Sequence, residues 1–307
     1  MPGETPLVSL VMPCRNGGRY LEDAVLSLFA QDYPNLEILV CDDASDDGSL
    51  ETLERLFAGY TGPHRIALLR NAARQGIETY NRLMEASSGA LVVMAHADDI
   101  SYPQRVRLLT AAWLDSGVSL LSSNARAIDG EGAEIGPFRR ETAAPDFSLE
   151  TIAETGWQAA LLGATLAWER AVFERFGPLS AKSTAISSDW ILPFRAALLN
   201  GIRYIPEPLL DWRYHADSRS RQLLAQEGDE RAGSEATRAN ALIQTVYLIE
   251  TLEAFMAEAP DSERTRLART REILQRRLFG LARDWSQVRN ALMHDRLRPR
   301  WLPPEGA

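Results

Sequence analysis

Four short apolar runs constrain this chain more than any other feature. "LVSLVM" (7–12), "LEILVC" (36–41), "RIALL" (65–69) and "ALVVMA" (90–95) are nearly continuous in aliphatic residues. A strand with one wet face alternates polar and apolar positions, so such runs predict strands buried on both faces, the condition of a parallel sheet. The segments between them have helical spacing instead. "GRYLEDAVLSLFAQ" places Leu21, Val25, Leu28 and Phe29 on one face, and "SLETLERLFAGY" does the same with Leu50, Leu53, Leu56 and Phe57. "GIETYNRLMEAS" makes a third helix that ends before Gly89. Strand and helix thus alternate over residues 1–100, which predicts a βαβ half-domain of Rossmann-like character.

The rest of the chain is more mixed. "PQRVRLLTAAWLDSG" reads as a helix after Pro103, "VSLLSS" as a strand, and "RAIDGEGAEIG" as a hairpin turning at Asp129 and Gly130. "ATLAWERAVFERFGPLS" reads as a strand feeding a helix that stops at Gly177. "SSDWILPFRAALLNG" reads as a helix capped by Ser187 or Ser188 and closed by Gly201. Past "WRYHADSRS" the pattern is helical through "ATRANALIQTVYLIETLEAFMAEA", then again in an Arg-rich segment from about Ser262.

Composition narrows the function classes. A net charge of -9 argues against a general nucleic-acid binder, which needs clustered cations over its contact face. Only Cys14 and Cys41 are present, so a disulfide scaffold is excluded and reduced, packed thiols are expected. No apolar run reaches the roughly 18–20 residues that span a bilayer, and the N-terminus lacks a basic start, so a cytoplasmic protein is expected.

The polar clusters fall where such a sheet binds ligands, at the carboxyl ends of its strands: "PCRNGG", "DDASDDGS", "RNAARQG" and "HADD". "CRNGGR" lacks the G-x-G-x-x-G dinucleotide fingerprint, and the lone lysine, Lys182, supplies no P-loop. A phosphate-bearing ligand therefore needs another cation. Asp98 and Asp99 offer the oxygen ligands that Mg2+ or Mn2+ takes, although a solvated acidic turn ahead of a helix has the same appearance.

"VSLVMPCRNGGRYLEDAVLSLFAQDYPNLEILVCDDASDDGS" followed by "HADDISYPQR" resembles glycosyltransferase family 2, over residues 7 to about 220. The resemblance implies the GT-A fold, an α/β architecture with a Rossmann-like, mostly parallel sheet flanked by helices. It divides the chain into a domain at 1–220, with a nucleotide-binding half (1–100) and an acceptor half (101–220), and a C-terminal helical extension at 221–307. It implies that Pro13 and Asp43 line the nucleotide base, Asp43 accepting an imide N–H of uracil or thymine. Arg15 and Asn16 then occupy the loop beside the base, and Arg74 or Gln75 reaches over the base or the diphosphate. Asp98 and Asp99 match the acidic motif for metal and diphosphate, with Asp99 as direct ligand of Mn2+ or Mg2+; His96 replaces the first acid of the family's D-A-D-D form. Asp189 matches the catalytic base, with Ser188 where relatives carry Glu. "WRYHADSRS" matches the terminal segment, so that Arg213, His215 and Ser220 close over the diphosphate or hold the metal.

The implied activity is metal-dependent, inverting sugar transfer from a UDP or dTDP sugar to a hydroxyl of a glycan or lipid-linked acceptor in cell-surface glycan synthesis. Trp157 and Trp190 suit a sugar platform or core packing. Val246, Ile249, Leu252, Phe255 and Met256 form a stripe that suits internal packing or a homodimer face. Arg264, Arg266, Arg269, Arg271, Arg276 and Arg277 suit either water or the anionic inner face of a membrane. Rival readings are a sugar-1-phosphate nucleotidyltransferase, which would show a lysine in the first loop, a receiver domain, which needs a downstream lysine, and a nucleotide-sugar-binding protein without transfer.

Overall fold

The computed structural model describes residues 5–138, 147–155, 161–179, 188–215 and 232–281. Trp157, Lys182, Ser187 and Ser220 lie outside them, as do the side chains of Ser188 and Trp190. The first half is built as the apolar runs require. Strands β1 (Val8–Cys14), β2 (Leu36–Asp42), β3 (Arg65–Arg70) and β4 (Leu91–Met94) lie parallel in the order β3-β2-β1-β4, with Val8 level with both Leu36 and Leu91. Helices α1 (Leu21–Phe29), α2 (Ser49–Gly59) and α3 (Ile77–Ala86) connect them. Leu10, Met12, Ile38, Val40, Leu91 and Val93 are fully buried. β3 departs from the expectation of two buried faces: it is the edge strand, and its residues are only partly covered.

Beyond β4 come β5 (Ile100–Ser101), α4 (Arg105–Ser116), β6 (Leu120–Ile128), β7 (Glu134–Pro137), α5 (Leu149–Thr155), β8 (Leu166–Glu169), α6 (Arg170–Phe176), α7 (Ser188–Leu198) and β9 (Ile202–Arg213). Here the sheet turns mixed. β8 is antiparallel to β4 and β6, β9 runs parallel to β6, and β5 closes the far edge against β9. Hydrophobic periodicity gave no sign of β9, because Pro206 and Pro208 interrupt it. The ladder steps from Ser123–Ile205 to Asn124–Pro208, so a bulge takes up Pro206, which has no N–H to donate, together with Glu207. The hairpin after β6 also differs from a two-residue turn. Asp129 Oδ1 accepts from Glu131 N and Ala133 N, each at 2.9 Å, which fixes a loop of 129–133.

The last helices, α8 (Ala232–Glu258) and α9 (Asp261–Leu281), join the main core. Val246, Ile249 and Leu252 of α8 and Leu267, Ile273, Leu274 and Leu278 of α9 share one buried cluster with Trp168, Leu192 and Phe194. The apolar stripe is therefore used internally, with Phe255 stacked 5.8 Å from Phe176. Arg277 donates to the carbonyls of Ala153 and Glu154 at the end of α5, where unpaired helix carbonyls favour a cation. Arg266, Arg269 and Arg276 are exposed. Among the described residues, no helix is long and apolar enough to cross a membrane.

Candidate active site

The carboxyl ends of β1 and β2 are laced together by their loops. Arg15 Nη1 donates to the carbonyls of Asp43 (2.8 Å) and Ala44 (2.6 Å). Asn16, at φ 52, exchanges hydrogen bonds with Asp46, and the Gly17 and Gly18 amides donate to Ser49 Oγ and Asp47 Oδ2. Ala44 also has a positive φ, 58, a conformation that costs a Cβ-bearing residue about 1–2 kcal/mol. Pro13 stands half-buried at the last turn of β1, level with Cys41. Cys14 and Cys41 are free and buried, and burial raises their thiols to about 12 and about 11. They are packed, unreactive side chains.

Asp43 is nearly buried and accepts three hydrogen bonds. Oδ1 takes Asn71 Nδ2 (2.8 Å) and Gln75 N (2.7 Å), and Oδ2 takes Gly76 N (2.9 Å). Burial pushes its pKa up, but the bonds from Asn71, Gln75, Gly76 and Thr79 outweigh this and leave it below 3.8. Asp43 thus pins the loop that carries Arg74 and Gln75, both exposed, beside the ends of β1 and β2. Asn71 lies in the polar cluster "RNAARQG", but no motif marks it within that cluster.

β4 ends at Met94, and the turn after it carries His96, Asp98 and Asp99. Each offers a ligand atom, all within 4.8 Å of one another. Asp99 is 6% exposed; its Oδ1 accepts from Arg213 N at 2.8 Å, while its Oδ2 is buried without a hydrogen-bond partner, 3.7 Å from His96 Nδ1. Burial, then the charge of Asp98, raises the Asp99 carboxyl well above 3.8, against the pull of Arg213 and Arg105. Asp98 is more open, and its Oδ2 lies 3.1 Å from His215 Nε2. A buried carboxylate oxygen with no donor is costly in itself. Beside a second carboxylate and the His96 imidazole, it fits a divalent cation.

Arg213 is tied to the acidic turn and to the loop after β6. Its Nε donates to the Asp98 carbonyl (3.1 Å), its Nη1 to the carbonyls of Asp129 (3.3 Å) and Gly130 (3.5 Å), and its guanidinium lies 4.6 Å from the Tyr20 ring centre. Tyr20 also packs on His215 at 4.6 Å, and Arg19 reaches from the same loop to Glu131. Three distant pieces of chain thus brace the acidic turn. Nothing in the sequence marks Tyr20, because an aromatic residue at a helix start has no distinguishing pattern.

Asp189 lies in the first turn of α7, half-buried, with its carboxylate resting on Gly163. A Cβ at Gly163 would overlap that carboxylate, so the turn at 163–165 admits only glycine there without movement.

The model of the family described as glycosyl transferase family 2 matches residues 9–177, more than half of the chain. The protein belongs to glycosyltransferase family 2. An uncharacterized glycosyltransferase of Nostoc sp. is 26% identical over 234 residues, 75% of this chain and 71% of that protein. A UDP-Glc:alpha-D-GlcNAc-diphosphoundecaprenol beta-1,3-glucosyltransferase of Escherichia coli is 28% identical over 134 residues, 43% of this chain and half of that protein's length. Among solved structures, Staphylococcus aureus TarS 1–349 in complex with UDP-GlcNAc superposes with a TM-score of 0.63 at 16% identity, over 94% of this chain and 80% of that one. The mannosyltransferase PcManGT of Pyrobaculum calidifontis, in complex with GDP-Man and Mn2+, gives 0.55 at 16% identity, over 98% and 88%. The glycosyltransferase therefore has the GT-A fold, and its C-terminal helices are packed onto it.

Proposed function

We propose that this glycosyltransferase moves a sugar from a UDP or dTDP sugar to a hydroxyl of a glycan or lipid-linked acceptor, with inversion, in cell-surface glycan synthesis. The observation that supports this best is the buried Asp99 Oδ2, without a hydrogen-bond donor, beside Asp98 and His96, at the same carboxyl edge of the sheet as Asp43 and the loop it pins. Acids alone repel a diphosphate; a divalent cation reconciles the two. Asp98 and Asp99, with His215 or His96 as a nitrogen ligand, would hold Mn2+ or Mg2+. Bound there, the ion would offset charge on the departing diphosphate.

The chain's own residues do the remaining work. Pro13 and Asp43 line the base, Arg15 and Asn16 shape the loop beside it, and Arg74 and Gln75 reach over base or diphosphate from the loop that Asp43 anchors. Asp189 takes the proton of the acceptor hydroxyl as it attacks the anomeric carbon. Attack opposite the leaving diphosphate inverts that carbon in one step. The relatives support a nucleotide-sugar donor, since TarS was solved with UDP-GlcNAc, PcManGT with GDP-Man and Mn2+, and the Escherichia coli relative is named for UDP-Glc. The exposed Arg266, Arg269 and Arg276 of α9 suit the cytoplasmic surface of an anionic membrane.

Calorimetric titration of UDP, dTDP and GDP sugars, with and without Mn2+, tests the donor. A UDP or dTDP sugar should bind about tenfold or more tightly with Mn2+, since chelation joins ion and diphosphate; indifference to Mn2+ would remove the metal. Asp189→Asn should keep donor binding and lose about 10²–10⁴-fold in transfer. Transfer near the wild-type rate would move the base elsewhere.

A further inference from the structure

Arg105 opens α4 yet is 1% exposed, whereas Arg107, two residues along the same helix, is exposed and paired with Asp32. Arginine is rarely buried so completely unless several acceptors converge on it. Here three do, from three separate pieces of chain. Nη2 donates to the carbonyl of Met94 (2.8 Å) and to that of Ala164 (2.5 Å), and Nη1 donates to Ser101 Oγ (2.9 Å). Met94 is the last residue of β4, and the turn with His96, Asp98 and Asp99 begins just after it. Ala164 follows Gly163, the residue on which the Asp189 carboxylate rests. One guanidinium therefore joins the backbone beneath the cation-side acids to the backbone beneath the acceptor-side acid.

We propose that Arg105 is a positioning residue that fixes the spacing between Asp189 and the pair Asp98 and Asp99 by bonding both backbone segments at once. The inference rests on the reading of Asp189 as the base. A planar guanidinium holds two carbonyls at a set separation, whereas an ammonium on a flexible stem does not. The base-side groups, Asp43 and Arg15, have no bond to Arg105. Asp99 keeps its bond from Arg213 N and Asp98 its contact with His215 when Arg105 is loosened, so donor binding should be spared and the loss should fall on turnover, where a misplacement of about 1 Å costs about 10²-fold.

The test uses the full chain and the tightest-binding nucleotide sugar of the panel, reading its Kd with Mn2+, the kcat and KM for nucleotide release, and the melting curve. Arg105→Lys should fold, keep Kd and KM within about threefold and lose about 30–100-fold in kcat. Gly163→Ala leaves Arg105 intact and displaces Asp189 directly; it should show the same split, and the double variant should lose less than the product of the two. Arg105→Lys with kcat within about threefold of wild type, or with donor affinity falling as far as kcat, overturns the proposal. So does a double variant whose losses multiply. If Arg105→Lys does not fold, Ser101→Ala decides, because it removes one of the three partners: a kcat about 3–10-fold lower at unchanged Kd supports the role, and an unchanged kcat overturns it. Asp189→Asn, run in parallel, separates the two failures. If it retains turnover, the reading of the base fails; if it loses turnover while Arg105→Lys does not, only the role of Arg105 fails.

Discussion

Between β3 and β4 the sheet buries hydrocarbon, and its polar groups stand at the strand ends; between β6 and β9 it buries Ser122, Ser123, Asn124 and Asp211 within the strands themselves. In that second region Asp211 takes Arg126 in a two-point ion pair, 2.7 Å at each oxygen, and accepts from Tyr102 OH at 2.5 Å. Ser122 of β6 and Thr165 of the 163–165 turn bond at 2.7 Å. Hydrophobic burial is non-directional and tolerates repacking, whereas a buried hydrogen-bond network is stable only when each group meets its partner. The parallel half thus supplies a stiff platform, and the mixed half supplies a set geometry. A transfer reaction needs both, because donor loops can be re-seated on a platform but a base must stand at one distance from the leaving group.

The comparison can be broken at several points. The largest effect belongs to Asp98→Ala, at the end of a platform strand: turnover should fall about 10²–10³-fold while the melting temperature barely moves, since the carboxylate is a third exposed and supports no core. A matching loss of stability would show that the platform and its loops are not separable. In the mixed half, Asp211→Asn should destabilise by about 1–3 kcal/mol in urea unfolding, because Arg126 and Tyr102 lose their acceptor charge. The volume-conserving swap Leu10→Met in the parallel half should cost less than about 1.5 kcal/mol; the reverse order would erase the distinction.

Asp43 gives a pH signature. Its pKa is below 3.8 in the folded state, so it adds stability above that value and loses it as pH falls through the lower, folded value. Asp43→Asn should therefore weaken the protein by about 1–2 kcal/mol at pH 7, where the lost acceptor leaves Gln75 N and Gly76 N without a carboxylate. Unfolding curves for the two proteins should converge in acid; a constant gap would mean that charge plays no part. The smallest expected change is Ala44→Gly. Relief of the positive φ is offset by the extra freedom glycine has when unfolded, leaving a gain of less than about 1 kcal/mol, measurable as a slight rise in melting temperature.

Much of this was legible in the sequence, and unevenly so. The apolar runs announced β1, β2 and β4 because a strand buried on both faces has little room for polar residues; β3, the partly covered edge strand, showed the same kind of run, and the acids at 98 and 99 followed from where β4 ends. β9 was not legible: its prolines break the pattern, and only pairing with β6 and β5 makes it a strand. That Arg213 braces the acidic turn was not legible either, because its bonds go to carbonyls more than 80 residues away in the chain. Arg105 looked like any arginine in an amphipathic helix.

By itself the sequence determined the periodic elements and the residue types at strand ends, because both depend on near neighbours along the chain. The tertiary structure alone decided which oxygen of Asp99 would lack a partner, which loop Asp43 would hold, and that one guanidinium would span β4 and the turn under Asp189. Those outcomes depend on contacts between residues far apart in sequence, and hydrogen bonds of that kind are fixed by direction and distance, which no pattern of residue types contains.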